Sequence, residues 1–409
     1  MMTQLARRIK TTDNGLTDLF AYASNPDLIS FAGGYPNDQL FPKAELQAAF
    51  SDTLATGDAT LFQYTSTSGL ESLRTKFAKR AEQAGVQATA ANVLLTQGAQ
   101  QGIDLTAKLL LNPGDGMVVE GPTYLGALSA FDAYEPTYYE APMEDDGLDV
   151  NELQKILMTH SVKFIYTIPD FQNPTGVTMS LEKRKALVRL ANQYDVIILE
   201  DTPYRDLRFS GAALPAIKSF DTEGRVIMLG SCSKILSPSL RLGWLIADEK
   251  LLKPITALKL ASDVQSSNLT MRAVDRYLTD NDLDQHIQAM NTAYATKKDA
   301  MMNAIKTYFP EKIHVVNPAG GFFIFIQNVG NLDMTQFLKQ TMLAENIAYV
   351  PSEHLFSVSN TKNAARLNYT NLTEKTIQLG IQKLGGQLKQ HLAQTNWSTD
   401  IQLESISTN

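Results

Sequence analysis

Residues 230–244 read GSCSKILSPSLRLGW, with a single lysine among serines and an arginine seven positions further on. An amine is a nucleophile only after losing its proton, and a neighbouring cation or a dry pocket favours that state. Lys234 is therefore a candidate nucleophile, with Arg241 supplying part of the field. The planar fork of Arg241 also suits a phosphate, and the hydroxyls of Ser231 and Ser233 can donate to the same anion. The competing reading is a surface lysine in a serine-rich loop.

Three other stretches carry chemistry of a matching kind. EDTPY (200–204) follows an apolar run, so Asp201 is poised to meet a ring nitrogen or a metal, or merely to cap a turn. In PDFQNPTG (169–176), Asn173 precedes a proline, which holds it out of the helical region and aims its amide at a fixed target. Gln97-Gly98-Ala99-Gln100 sits where a strand meets a helix, and small residues there let a phosphate reach the free N–H groups of the helix start. The multi-glycine fingerprint of dinucleotide binders is missing. All five histidines lie beyond Tyr124 without a close-spaced ligand pair, which disfavours a metal. Each stretch is weak alone. Together they describe a site for pyridoxal 5′-phosphate, the cofactor that needs a lysine for its aldehyde, a carboxylate for its pyridine nitrogen and a phosphate cradle.

The elements that must position these groups are visible as alternating patterns. NVLLT (92–96), Met117–Val119, KFIYTI (163–168), VIIL (196–199) and Arg225–Leu229 read as strands, separated by helical patterns from Gly98, near Tyr124 and over Leu181–Tyr194. Strands that are apolar throughout are buried on both faces, with helices as crossovers. The fold class expected is α/β: a doubly wound, mostly parallel sheet in a large domain over 46–285, with chemistry at the strands' carboxyl ends. A long helical pattern to Tyr308, then Ile313–Val316, GFFIFI (321–326) and ARLNY (365–369), predict a smaller α+β domain over 286–390. Residues 1–45 are expected to pack with it, and 391–409 to form a loosely ordered polar tail.

Composition agrees. A chain of 409 residues exceeds one average domain, and its hydrophobic share of 44% suits a globular core. The net charge of −7, without a like-charge block, argues against a nucleic-acid surface. Cys232 is the sole cysteine, which fits a reducing compartment. With neither an apolar window of membrane-spanning length nor a secretory leader pattern, a cytoplasmic location is the expectation.

FQNPTG, EDTPY and SxSKxLxPxLRLGW in combination resemble the class I/II aminotransferases of the aspartate aminotransferase fold, nearest the branch of 2-aminoadipate, kynurenine and aromatic aminotransferases. The resemblance runs from LISFAGG (28–34) to ARLNY (365–369). It implies that Lys234 forms the imine with the cofactor and later moves the α-proton, and that Asp201 keeps the pyridine nitrogen protonated. Asn173 and Tyr204 would hydrogen-bond the ring oxygen, and Tyr124 would stack on the ring. Gly98, Ala99, Gln100, Ser231, Ser233 and Arg241 would hold the phosphate. Tyr64 would reach the phosphate of a neighbouring subunit, implying a homodimer with shared sites. Arg366 would clamp the substrate α-carboxylate beside the Gly33-Gly34 backbone and Asn173.

The reaction implied is ping-pong transfer of an amino group from an L-amino acid to a 2-oxo acid such as 2-oxoglutarate. A lyase or decarboxylase on the same scaffold is the alternative within the fold. A cofactor-sensing DNA-binding regulator is disfavoured by the roughly thirty residues before SFAGG, fewer than an independent domain needs. One departure bears on the substrate. Relatives that use 2-aminoadipate often carry an arginine near Thr17, whereas here no Lys or Arg occurs between Lys10 and Lys43. That favours an aromatic or aliphatic donor, with Tyr35 and Phe41 as candidate pocket walls, over 2-aminoadipate or aspartate.

Overall fold

In a computed structural model of the chain, the residues described are 6–9, 17, 21–22, 25–327 and 329–406, without the side chains of 394–406. A short strand β1 (Ile29–Ser30) precedes the main sheet. That sheet is built from β2 (Val93–Thr96), β3 (Gly116–Gly121), β4 (Thr137–Glu144), β5 (Gly147–Leu148), β6 (Val162–Thr167), β7 (Ile197–Asp201), β8 (Val226–Ser231) and β9 (Gly243–Ile246). The order is β2-β9-β8-β7-β6-β3-β4-β5. The central run from β8 to β4 is parallel, while β9 is antiparallel to both β8 and β2. Two reversals restore direction, so β2 runs the same way as β8.

The apolar runs explain the burial. Successive side chains point to opposite faces. Phe164, Tyr166, Leu199, Ile227 and Leu229 join one apolar cluster, whereas Ile165, Ile198 and Val226 join a second with Leu187 and Ala191 of the helix Leu181–Tyr194. Both faces are covered, as a doubly wound sheet requires. The helix Ala99–Leu110 lies so close to β8 that a Cβ on Gly102 would stand 2.6 Å from Leu229 Cδ2. Trp244 of β9 stacks on Phe77 with centroids 4.1 Å apart, adding about 0.5–1.5 kcal/mol beyond the area buried.

A second sheet, entirely antiparallel, has the order β10-β11-β14-β13: β10 (His314–Val315), β11 (Phe323–Gln327), β13 (Val350–Pro351) and β14 (Ala365–Asn368). β1 pairs in parallel with β12 (Ile347–Ala348), which ties the N-terminal segment to this part of the chain. The helix Leu283–Tyr308 leads into it, and Asp282 caps the helix by accepting from Asp284 N and Gln285 N.

The sequence patterns find most elements but not all. β4 and β9 are unforeseen, because TYYEAPME alternates weakly and GWLI is only four residues long. Glu200 and Asp201 lie within β7 instead of after it. The polar stretch from 391, expected to be a loose tail, continues the helix Glu374–Ile406, a correction at the level of backbone. The stretch prolongs a helix already formed upstream, and adding residues to an existing helix is far easier than starting one.

Candidate active site

The connections after β2, β3, β6, β7 and β8 all open at one edge of the sheet, because these strands share a direction. Lys234 lies in the turn after β8. Its Nζ donates to Gly34 O at 2.7 Å and stands 5.7 Å from the centre of the Phe322 ring. Among the described residues no carboxylate pairs with it. Burial, reinforced by the charges of Arg366 and Arg241, lowers its amine to about 8. A lysine so placed is uncharged for part of the time near neutrality, as a nucleophile or proton carrier needs.

Asp201 closes β7. Its Oδ2 accepts from the Tyr166 hydroxyl at 2.8 Å, and its Oδ1 is buried without a partner. Burial pushes the carboxyl up to about 6, against the opposing pull of the Tyr166 bond. A buried carboxylate oxygen left bare is costly unless something donates to it. The protonated nitrogen of a pyridine ring is such a donor.

Arg366, on β14, is 5% exposed and makes no ion pair among the described residues. Its Nη1 donates to Asn173 Oδ1 at 2.9 Å and its Nη2 to Ala32 O at 2.6 Å, while Nε has no partner. The guanidinium lies over the Phe323 ring, 4.2 Å from its centre, and burial lowers its pKa to about 10. An unpaired, desolvated guanidinium beside the Lys234 amine calls for a carboxylate ligand. The peptide bond from Asn173 to Pro174 is cis. Tyr204 packs between Phe322 and Phe323, with centroids 5.4 and 5.7 Å away, and its phenol is pushed up chiefly by burial.

The opposite end of the site is built for an anion. Gly98 precedes the helix Ala99–Leu110 with φ 74°, and no side chain caps that helix start. A Cβ on Gly98 would stand 2.9 Å from Arg241 Nη2, so only glycine keeps this cradle open. Arg241 donates to Gln97 O at 3.2 Å and Pro238 O at 3.3 Å, and no carboxylate offsets its charge among the described residues. Ser231 ends β8, where its Oγ accepts from Ser233 N at 3.1 Å. Bare helix N–H groups, a guanidinium without a carboxylate and two hydroxyls suit a phosphate. Between the two ends, the Tyr124 hydroxyl donates to Gln100 Oε1 at 3.4 Å, and Gln100 Nε2 donates to Gly126 O at 2.6 Å. The donors and acceptors thus fit pyridoxal phosphate at its aldehyde, ring nitrogen and phosphate.

A family model, aminotransferase class I and II, matches residues 27–384. The chain belongs to this family. It is 36% identical to aromatic-amino-acid aminotransferase 1 of Thermococcus litoralis over 92% of both chains. The kynurenine aminotransferase of Pyrococcus horikoshii, solved with PMP, superposes with a TM-score of 0.89 at 36% identity, covering 94% of this chain and 96% of that one. The alpha-aminoadipate aminotransferase of Thermus thermophilus, solved with a phosphopyridoxyl-leucine, superposes at 0.86 and 31% identity, again over 94% and 96%. The aminotransferase therefore has the aspartate aminotransferase fold, takes pyridoxal 5′-phosphate and transfers amino groups between amino acids and 2-oxo acids.

Two further anticipated residues are Tyr64, expected to serve a neighbouring subunit, and Tyr35, which follows the Gly34 whose carbonyl accepts from Lys234. Tyr64 is 78% exposed, and nothing of its own chain's Lys234 pocket covers it. Tyr35 lines a cavity of about 180 Å³ with Ser30, Gly33 and Asn368, while its carbonyl accepts from Thr370 Oγ1. Conversely, Tyr166, Glu120, Gln172, Phe322 and Phe323 escaped the sequence reading. Tyr166 is hidden inside an apolar strand, where a hydroxyl needing a buried partner was the available signal. The phenylalanines read as ordinary core.

Proposed function

We propose that this aminotransferase takes its amino group from an aromatic or aliphatic L-amino acid and works as a cytoplasmic homodimer with shared active sites. The observation that carries the donor preference is the absence of any Lys or Arg between Lys10 and Lys43, where a distal carboxylate would need one. The aromatic-amino-acid and kynurenine aminotransferases among its relatives support the same class of donor. When bound, pyridoxal phosphate supplies an aldehyde carbon for amines and a ring that draws electrons from Cα.

The chain's own residues do the rest. Arg366 holds the α-carboxylate through the donors left free by Asn173 and Ala32, which orients Cα toward Lys234. The Lys234 amine, near 8, takes the Cα proton and hands it on. With the cofactor bound, Asp201 would keep a proton on the ring nitrogen, and Asn173 with Tyr204 would hydrogen-bond the ring oxygen. Tyr124 would stack on the ring, while Gly98, Ala99, Gln100, Ser231, Ser233 and Arg241 would hold the phosphate. For the dimer, support comes from Phe62, Tyr64, Leu260 and Val264, which are 75%, 78%, 53% and 44% exposed. The backbone of Thr65 bonds to the Gln265 side chain, so these apolar groups sit on joined segments suited to burial by a second copy. The lone, buried Cys232 fits a reducing compartment.

The test is a donor comparison with phenylalanine, leucine, aspartate and 2-aminoadipate against 2-oxoglutarate. Without a fork for the distal carboxylate, 2-aminoadipate should trail phenylalanine or leucine in kcat/KM by about 10-fold or more. The reverse ranking refutes the proposed preference.

A further inference from the structure

Glu120 is the penultimate residue of β3, immediately before the cis Gly121–Pro122 bond, is 1% exposed and has no cationic partner among the described residues. Three donors converge on it: the Thr167 hydroxyl, Ile168 N at 3.2 Å and Gln172 Nε2 at 3.0 Å. Gln172, fully buried, spends its other groups on the same region. Its Nε2 also donates to Pro122 O at 2.8 Å, and its Oε1 accepts from Thr175 N at 2.8 Å and Thr175 Oγ1 at 2.7 Å. The amide is thereby fixed in one orientation. Asn173 follows directly and accepts from Arg366 Nη1.

A buried carboxylate without a cation is expensive, and burial pushes this one up to about 7. An apolar residue would fill the same space more cheaply, so the acid is retained for what it orients. We propose that Glu120 is a positioning residue: through Gln172 it sets Asn173, and through Asn173 the guanidinium that grips the substrate carboxylate. The inference rests on the reading of Arg366 as that grip.

Glu120→Leu fills the space but removes both acceptors, leaving the Thr167 hydroxyl, Ile168 N and Gln172 Nε2 without one. The segment bearing Asn173 then loses its anchor. Glu120→Gln keeps one oxygen. Turned toward Gln172, that oxygen accepts from Gln172 Nε2 and from Ile168 N, which stands 3.3 Å from Glu120 Oε2, while the Thr167 hydroxyl accepts from the new amide. The conservative variant therefore retains the positioning that the apolar one removes.

With purified, cofactor-loaded protein, Glu120→Leu should raise KM for the amino donor about 10-fold, more than it lowers kcat, and Glu120→Gln should keep KM within about 3-fold of wild type. The visible band of the bound cofactor should shift in Glu120→Leu, because Asn173 faces the cofactor as well as Arg366, and should stay in place in Glu120→Gln. A wild-type KM in Glu120→Leu overturns the inference, as does a Glu120→Gln no better than Glu120→Leu. If Glu120→Leu does not fold, Gln172→Met, which cuts the link between Glu120 and Asn173, must raise KM about 10-fold, and a wild-type KM there overturns the inference. Arg366→Lys separates the two readings: its KM must rise for the grip to hold, and a rise there with no effect at Glu120 rejects the positioning role alone.

Discussion

Asp201→Asn should stabilise the cofactor-free protein while weakening its hold on pyridoxal phosphate. Burial lifts this carboxyl from 3.8 to about 6. As pH rises the unfolded chain loses the proton first, so stability declines from about pH 4 and the whole penalty is present above about pH 6. At about 1.4 kcal/mol per pH unit, that penalty is about 3 kcal/mol, and about half of it is already present at about pH 5. Asparagine removes the charge and can still accept from Tyr166, but its amide then stands where Oδ1 has no partner, which returns about 1 kcal/mol. The net gain is about 2 kcal/mol at about pH 8, and it should grow by about 1.4 kcal/mol between pH 5 and pH 8. Urea unfolding of cofactor-free wild type and variant at both pH values measures this, and every group common to the two proteins cancels. A gain that does not change with pH, or a loss that deepens with pH, refutes the reasoning.

Two further outcomes follow from the same geometry. Because burial and the neighbouring arginines lower Lys234 from 10.5 to about 8, its amine is charged below that value and neutral above it. The rate at which cofactor-free protein forms a visible-absorbing imine with pyridoxal should therefore climb through about pH 8 and level off, whereas a climb continuing past pH 10 contradicts the lowered value. Gly98→Ala forces a side chain into φ 74° and against Arg241 Nη2. Strain of about 1–2 kcal/mol and the displaced guanidinium should raise the Kd for pyridoxal phosphate about 10-fold or more, and an unchanged Kd removes the cradle assignment.

Much of the site was legible in the sequence because strand ends are. Uninterrupted apolar runs such as VIMLG and VIIL mark buried strands, and whatever polar residue follows must lie at the sheet edge. Lys234, Asp201, Asn173 and Gly98 could be placed there from residue type and position alone. The helical course of 391–406 was not legible, since propensity without a stripe leaves helix and loose tail alike.

Tertiary structure alone decided which groups face each other. Lys234 meets the carbonyl of Gly34 two hundred positions away, and Arg366 joins Asn173 and Ala32 from separations of 193 and 334. Periodicity has a range of a few residues, so it cannot report such pairings. Nor could it reveal that Asp201 has one satisfied oxygen and one bare, or that Glu120 collects three donors and no cation. The sequence supplies the chemical groups and the strand that carries each, while the packing of the two sheets sets their neighbours and, through burial, their protonation.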